Sequence, residues 1–210
     1  MKHLITVLFI IFSTTFVFSQ THAVTKSGEE VLLFENGTWK YAKEKDAKKK
    51  EIETNNFRFM RSPESTFLVE SKILNVGVYI NPEKWSFKKG ETNGNSEYDF
   101  QLVEQDAYAM AITERIEVPL VTLKGLALEN AQIVAPDTKI VDEEYRTING
   151  IKMLYLQMDG TLKGIPFTYF GYYYSNKKGT VQLICYTSQS LVAEYKSSLF
   201  ELLNGLVVTE

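Results

Sequence analysis

The residues that could carry chemistry in this chain are mainly carboxylates, because histidine and cysteine are scarce. The 210 residues contain two histidines, His3 and His22, and one cysteine, Cys185. A Ser-His-Asp triad needs a histidine held by the fold, and most zinc sites need several His or Cys ligands. His22 lies near the N-terminus, outside any patterned segment. The sequence therefore argues against both kinds of site, and it also lacks the P-loop and dinucleotide-binding glycine patterns.

Carboxylates alone can hydrolyse a glycosidic bond, since the reaction needs one acid and one nucleophile or base at a fixed separation. Five acids near predicted strands or turns could converge in this way: Glu114, Asp142, Glu143, Glu144 and Asp159. Asp137 and the acids at 142–144 also offer oxygens to calcium, but without the alternating spacing of a calcium loop. Acids at turns are usually solvated. We therefore predict no catalytic residue, no metal and no cofactor, and keep a carboxylate-based glycan hydrolase as an alternative.

One segment, residues 167–174, is unusually rich in aromatic residues. Strand alternation places Phe167, Tyr169 and Tyr173 on one face and Phe170, Tyr172 and Tyr174 on the other. Tyrosine combines a large apolar area with a polar tip, and exposed rows of it often mark recognition surfaces. Either helices cover both faces, or one ring set is exposed and contacts a partner. The candidate contact residues are Phe170, Tyr172 and Tyr174, with Trp39 from a separate N-terminal segment.

The first nineteen residues have the pattern of a secretory signal peptide. Lys2 precedes an apolar run from Leu4 to Phe18, and Val17-Phe18-Ser19 offers small-residue cleavage positions. The run is shorter than the roughly 20 residues needed to cross a bilayer, and no second run follows. We therefore expect an exported protein, periplasmic or secreted, without a membrane span. Cys185 cannot form an intramolecular disulfide, and its strand-like surroundings predict a buried structural thiol.

Composition narrows the class of partner. Lys and Arg total 23 and Asp and Glu total 26, which gives a net charge of −3. A nucleic-acid-binding protein would show a basic stripe, so we exclude that class. A hydrophobic fraction of 44% is enough to build a core. Nothing in these patterns fixes an oligomeric state.

Three segments follow the predicted signal peptide. Residues 20–42 predict a β-hairpin module, because Asn36-Gly37 lies between two short apolar runs. Residues 43–56 form a charged linker with one large apolar residue, Ile52, and little to bury. Residues 57–210 form the main domain.

Strand and helix periodicities alternate along the main domain. Strands are predicted at 74–80, 85–87, 98–102, 108–116, 139–146, 152–158, 165–174, 180–187 and 206–208. Asn149-Gly150 predicts a hairpin, and Asp159-Gly160 predicts the end of the following strand. One helix is predicted between Pro119 and Pro136, and another between Ser188 as N-cap and Gly205. Together these strands and helices predict an α+β fold. In it, two helices pack on an antiparallel sheet, in an α+β or α/β/α arrangement.

The order of these elements is similar to that of a known family. The relevant segments are Val78-Tyr79-Ile80-Asn81-Pro82 with Trp85, Tyr108 to Ile116 leading into a helix, Asn149-Gly150 before paired long strands, and Tyr186-Thr187 leading into a helix that ends at Leu203-Asn204-Gly205-Leu206. In these features the main domain resembles the PsbP-like superfamily, which includes the extrinsic PsbP subunit of photosystem II and DcrB-type bacterial envelope proteins. The resemblance implies a curved antiparallel sheet covered by helices and a binding or assembly role. It transfers no functional residue, because no functional motif is present to match.

The N-terminal segment carries a resemblance of its own. Its Gly-x-x-Val-Leu-Leu and Asn-Gly-Thr-Trp sequences are similar to a short module that recurs in exported Gram-negative bacterial proteins.

Three functions remain open at this point. The favoured one is a non-enzymatic module that binds an envelope protein or polymer, which predicts an exposed aromatic patch and no deep polar cleft. A glycan hydrolase would instead place two of the five acids roughly 5 to 10 Å apart in a groove lined by tyrosines. A carrier of lipid or another small apolar ligand would need a cavity between sheet and helices.

Overall fold

The computed structural model describes residues 20–25, 30–34, 37–42, 51–90 and 94–209. The chain forms two compact units, Met1–Ala47 and Lys48–Glu210. The predicted signal peptide at 1–19, Asn36 of the predicted turn and residues 43–50 of the predicted linker lie outside the described residues.

The first unit contains a small antiparallel sheet. Its strands are β1 (Gln20–Val24), β2 (Glu30–Phe34) and β3 (Trp39–Tyr41), in the order β1-β2-β3. β1 thus adds a third strand to the two of the predicted hairpin. Val31 is buried, whereas Trp39 is 54% exposed and packs edge-on against Tyr41 at a ring-centroid distance of 5.3 Å.

The second unit is built on an eight-stranded sheet in the order β4-β10-β11-β12-β13-β9-β8-β7. These strands are β4 (Thr54–Phe59), β7 (Trp85–Lys89), β8 (Tyr98–Leu102), β9 (Ala107–Glu114), β10 (Lys139–Ile148), β11 (Ile151–Leu162), β12 (Ile165–Asn176) and β13 (Gly179–Ser188). Every pair in this order is antiparallel except β4 with β10, which is parallel.

A second sheet and two helices complete this unit. The three-stranded sheet has the order β14-β6-β5, with β5 (Phe67–Glu70), β6 (Val76–Ile80) and β14 (Leu206–Val208). Helix α1 spans Leu120–Val134, and helix α2 spans Val192–Leu203 after a short 3-10 turn. The predicted α+β class, with mainly antiparallel strands and two helices, is confirmed.

The two helices pack on opposite faces of the large sheet. Leu199 and Leu202 of α2 belong to the same cluster of buried residues as Phe170, Tyr172 and Leu183. On the other side, α1 contributes Leu123 and Ala127 to a cluster with Leu154, Leu156, Tyr173 and Ile184. Because neighbouring residues of β12 point to opposite faces, both faces of its central part are covered.

Two tight turns decide how β10, β11 and β12 connect. Asn149 and Gly150 have φ values of +48° and +84°. A two-residue type I′ turn requires positive φ at both positions, so the predicted hairpin is confirmed. The prediction that Asp159-Gly160 ends the next strand is wrong, because β11 continues to Leu162. The reversal instead uses Lys163-Gly164, at φ values of +51° and +83°. Gly160 stays in the sheet, where a Cβ would lie 2.5 Å from the Thr138 hydroxyl oxygen.

The edge strand β4 was not predicted, and its first residues fall within the predicted linker. Its sequence, Thr-Asn-Asn-Phe-Arg-Phe, has no clear alternation. The strand is held by pairing with β10, by the Tyr145 amide donating to the Glu53 carbonyl, and by the Asn55 side chain donating to Glu144. These partners are about 90 residues away in sequence, which is why local patterns do not reveal the strand. Strand β5 was missed as well.

Two further observations concern single features. Cys185 is fully buried, as predicted, and burial raises the pKa of its thiol. Neither helix in the described part of the chain is long and apolar enough to span a membrane.

Candidate functional site

The face of β12 that carries Phe170 and Tyr172 does not form the exposed surface that the binding hypothesis required. Phe170, Tyr172 and Tyr173 are each 0% exposed. Phe170 and Tyr172 lie in the cluster that includes α2, and Tyr173 lies in the cluster that includes α1. The expected exposure of Phe170 and Tyr172 is therefore wrong, because each face of this strand is covered by its own helix.

Tyr172 belongs to a buried cluster centred on Arg146, which we call the arginine cluster. The Arg146 guanidinium carbon lies 3.5 Å from the ring centroid of Tyr155, 4.9 Å from that of Phe59, 5.3 Å from that of Phe200 and 5.8 Å from that of Tyr172. Arg146 donates to the Tyr172 hydroxyl at 3.2 Å and to Glu144, and the Tyr172 hydroxyl donates to Asn204 at 3.0 Å. Tyr172 thus has a structural role inside the second unit.

The two other candidate contact residues are at least partly accessible. Tyr174 is half-buried, and its hydroxyl accepts a hydrogen bond from Asn176 at 3.0 Å. Trp39 is exposed in the first unit.

Three other tyrosines form an aligned surface feature, which we call the tyrosine row. Tyr108 of β9 is directly opposite Tyr186 of β13, and Tyr186 is directly opposite Tyr169 of β12. All three are partly exposed. The Tyr108 and Tyr186 rings stack at 5.7 Å with an interplanar angle of 25°, while Tyr169 and Tyr186 meet edge-on at 5.6 Å and 77°. Such cross-strand pairs hold the rings in place, so the row is a preformed surface.

The row continues across two further strands as polar side chains. Gln101 of β8 is opposite Tyr108, and Ser86 of β7 is opposite Gln101; both are exposed. Five neighbouring strands at a spacing of about 4.8 Å make the line about 19 Å long from Ser86 to Tyr169. Helix α1 packs further along the same face, against β11 and β12.

The charges beside the tyrosine row are few. In the adjacent line of the same face, Lys88 is directly opposite Asp99, so the two charges compensate each other. The Tyr108 hydroxyl donates to the Asp106 carboxylate at 3.3 Å, which places one acid at the edge of the row. No charged side chain belongs to the five-residue line itself.

Burial raises the pKa of several tyrosine hydroxyls, including those of Tyr169, Tyr172 and Tyr173. For Tyr173, no donor or acceptor among the described residues reaches the hydroxyl oxygen. A raised pKa in the folded state means that the folded protein holds these protons more tightly than the unfolded chain does.

We therefore expect stability to fall at alkaline pH. The free energy of unfolding is expected to stay level up to about pH 8, because the tyrosines and the Cys185 thiol are then protonated in both states. It should begin to fall above about pH 8.5, the ordinary cysteine pKa, and fall more steeply above about pH 10, the ordinary tyrosine pKa. Urea unfolding between pH 7 and 11, with tyrosinate absorbance recorded in parallel, measures this. The Tyr173→Phe variant should show a shallower decline, and an equal decline in the variant would contradict the assignment.

The carboxylates that could have formed a hydrolase site are distributed over the sheet. Asp142 and Glu143 line a groove of about 280 Å³, together with Glu51, Ile52, Glu53, Ile140 and Val141. No tyrosine lines this groove, and Glu143 is paired with Lys124. The groove therefore lacks the aromatic lining that the hydrolase hypothesis predicts.

Three of the remaining acids have structural partners. Glu144 accepts from Arg146 and Asn55, Asp159 accepts from the Thr168 hydroxyl at 2.8 Å, and Asp137 accepts from the Thr161 amide at 2.9 Å. Glu114 is exposed at the far end of β9, opposite Thr180. Within the described residues, no group of three or more His, Cys, Asp or Glu side chains is arranged to hold a metal ion.

The sequence matches no protein-family model and no curated protein, whereas the fold is similar to solved structures. The solution structure of cyanobacterial PsbP (CyanoP) from Synechocystis sp. PCC 6803 matches with a TM-score of 0.51 and 11% identity, over 70% of this chain and 94% of that chain. LpqN, described as involved in cell envelope biogenesis of Mycobacterium tuberculosis, matches at 0.48 and 13% identity, over 69% and 90% of the two chains. PA94 of Pseudomonas aeruginosa, of unknown function, matches at 0.43 and 12% identity, over 68% and 97%.

The match to cyanobacterial PsbP shows the architecture of the chain. It has a PsbP-like fold, as the order of elements in the sequence predicted. At 11% identity the likeness concerns the fold and transfers no site or activity.

Proposed function

We propose that this chain, which has a PsbP-like fold, is an exported, non-enzymatic binding module of the bacterial cell envelope, and that the tyrosine row is its contact surface. The observation that carries the proposal is the alignment of three partly exposed tyrosines on adjacent strands of one sheet. A surface built on paired strands is rigid, so binding would cost little conformational entropy.

The proposed export of the protein rests on its N-terminal sequence. The basic residue, apolar run and small cleavage positions of residues 1–19 support export with cleavage after Ser19. Exposed Trp39, which follows in the first unit, is proposed as an additional contact residue.

Two observations favour a binding role over the alternatives. The acidic groove at Asp142 and Glu143 has no tyrosine lining, which weakens the hydrolase hypothesis. Leu183, Phe170 and Leu202 are each 0% exposed between the large sheet and α2, as in a filled core rather than a ligand cavity, which weakens the carrier hypothesis.

The test is capture from an envelope extract with the exported protein as bait. Intact mass of that protein, expected to begin at Gln20, checks the cleavage site. We expect wild-type protein to capture a defined protein or polymer, and Tyr108→Ala/Tyr186→Ala protein to lose it. Tyr174, a candidate contact residue by sequence, is half-buried on the opposite face of the sheet, so it is not part of the surface proposed here. Tyr174→Ala is therefore the matched control and should retain the capture. Capture that persists in the double variant would overturn the assignment of the surface.

A further inference from the structure

The chemistry of the tyrosine row points to one class of ligand. The line Ser86, Gln101, Tyr108, Tyr186 and Tyr169 contains hydroxyl and amide groups that both donate and accept hydrogen bonds, and it contains no formal charge. A ligand that complements it must therefore offer neutral donors and acceptors together with apolar surface for the rings. Sugar units provide both, through their hydroxyl groups and their C–H faces.

The acidic residues at the edge of the row favour a neutral ligand chain over an anionic one. Asp106 lies at the edge of the row, where it accepts from the Tyr108 hydroxyl, and exposed Glu104 is two residues away in the same turn. A polyanion crossing this edge would meet like charge. Lys88, a base in the adjacent line of this face, is opposite Asp99 and does not offset these acids.

The shape of the surface favours one extended chain over a folded protein. A standard protein interface buries about 800 Å² on each partner and has an apolar centre. The row is instead a narrow line about 19 Å long. Its tyrosines are partly buried, and its outer end, formed by exposed Gln101 and Ser86, is polar.

We infer that the tyrosine row binds a segment of a neutral polysaccharide chain laid across strands β12, β13, β9, β8 and β7. The inference rests on the proposed function of the row as contact surface and names the class of its ligand. Tyr108, Tyr186 and Tyr169 pack against the sugar rings, and Gln101 and Ser86 hydrogen-bond to sugar hydroxyls.

Affinity electrophoresis of the exported protein tests this inference. Native gels contain one of three neutral polysaccharides, mixed-linkage β-glucan, xyloglucan or galactomannan, or the polyanion polygalacturonate. We expect retardation by at least one neutral chain and none by polygalacturonate. The apparent dissociation constant should rise about tenfold or more in Tyr186→Ala and stay within about threefold in Tyr186→Phe, which keeps the ring. Circular dichroism confirms that each variant is folded.

Each other outcome overturns the inference. These outcomes are no retardation by any of the three neutral chains, retardation by polygalacturonate with or without a neutral chain, or equal retardation of wild type and Tyr186→Ala. If a protein is captured from envelope extract through Tyr108 and Tyr186 while no polysaccharide retards the wild type, the proposed function stands and the polysaccharide inference fails.

Discussion

The Arg146→Ala variant is expected to lose about 3 kcal/mol of the free energy of unfolding, which is the lower end of the range for removing one partner of a buried ion pair. Arg146 is 9% exposed and lies among the rings of Phe59, Tyr155, Tyr172 and Phe200. Truncation leaves a cavity between these rings and removes the donor to the Tyr172 hydroxyl and to Glu144. Glu144 is partly exposed, so its carboxylate can recover some hydration.

The effect should extend to the edge of the sheet. Phe59 belongs to β4, whose pairing with β10 is short and irregular, and Arg146 lies on β10 itself. Loss of the guanidinium therefore removes a contact that holds β4 in place. Amide hydrogen exchange should show faster exchange in residues 54–59 of the variant than in the wild type.

Three further substitutions separate the contributions of volume, charge and stacking and provide an exposed control. Arg146→Met keeps most of the volume and removes the charge, so it should lose less stability than Arg146→Ala. Arg146→Lys keeps the charge but lacks the planar group that stacks on Tyr155, and we expect an intermediate loss. Arg58→Ala, at an exposed position in β4, should stay within about 0.5 kcal/mol of the wild type. Urea unfolding compares the four variants with the wild type, and a loss below about 1 kcal/mol in Arg146→Ala would show that the cluster is not a major source of stability.

The Tyr172→Ala variant is expected to lose about 3 to 5 kcal/mol, which is the usual cost of truncating a fully buried aromatic side chain. The ring is 0% exposed and packs edge-on against Tyr155 at 6.1 Å. Its hydroxyl also joins Arg146 to Asn204 at the end of α2. Loss of binding in this variant would therefore reflect unfolding, so Tyr172 is unsuitable for testing a contact surface.

Phenylalanine substitutions at Tyr172 itself and at its neighbour Tyr173 supply the matched controls. Tyr172→Phe keeps the ring but loses two hydrogen bonds, and we expect a loss of about 1 to 3 kcal/mol. Tyr173→Phe removes a buried hydroxyl that has no partner among the described residues, so it should be neutral or slightly stabilising. Thermal unfolding compares the two, and equal effects of Tyr172→Phe and Tyr173→Phe would contradict the assigned hydrogen bonds.

Local residue patterns were enough for most of the second unit. Apolar alternation indicated β6, β8, β9, β10, β11, β12 and β13, and the recurrence of apolar residues at three or four positions indicated both helices. These signals are local because side-chain direction repeats every two residues in a strand and every 3.6 in a helix. Asn149-Gly150 was also predictable, since both residues must adopt positive φ values in such a turn.

Patterns failed where a distant partner stabilises the segment. Strand β4 forms through its pairing with β10 and through contacts with Glu144 and Arg146. Gly160 stays extended in β11 because Lys163-Gly164 makes the turn instead. In both cases the local sequence is compatible with two conformations, and tertiary contacts select one of them.

For the candidate site, too, local sequence determined some features and tertiary contacts decided the others. The sequence alone establishes a pattern typical of an exported α+β protein with an aromatic strand and few residues suited to catalysis, since these properties follow from composition and local periodicity. Only the tertiary structure shows that α2 buries Phe170 and Tyr172, and that Tyr108, Tyr186 and Tyr169 align on the other face. Exposure and alignment depend on which helix covers each face and on the register between strands up to about 80 residues apart, and neither is encoded in the local spacing of the residues.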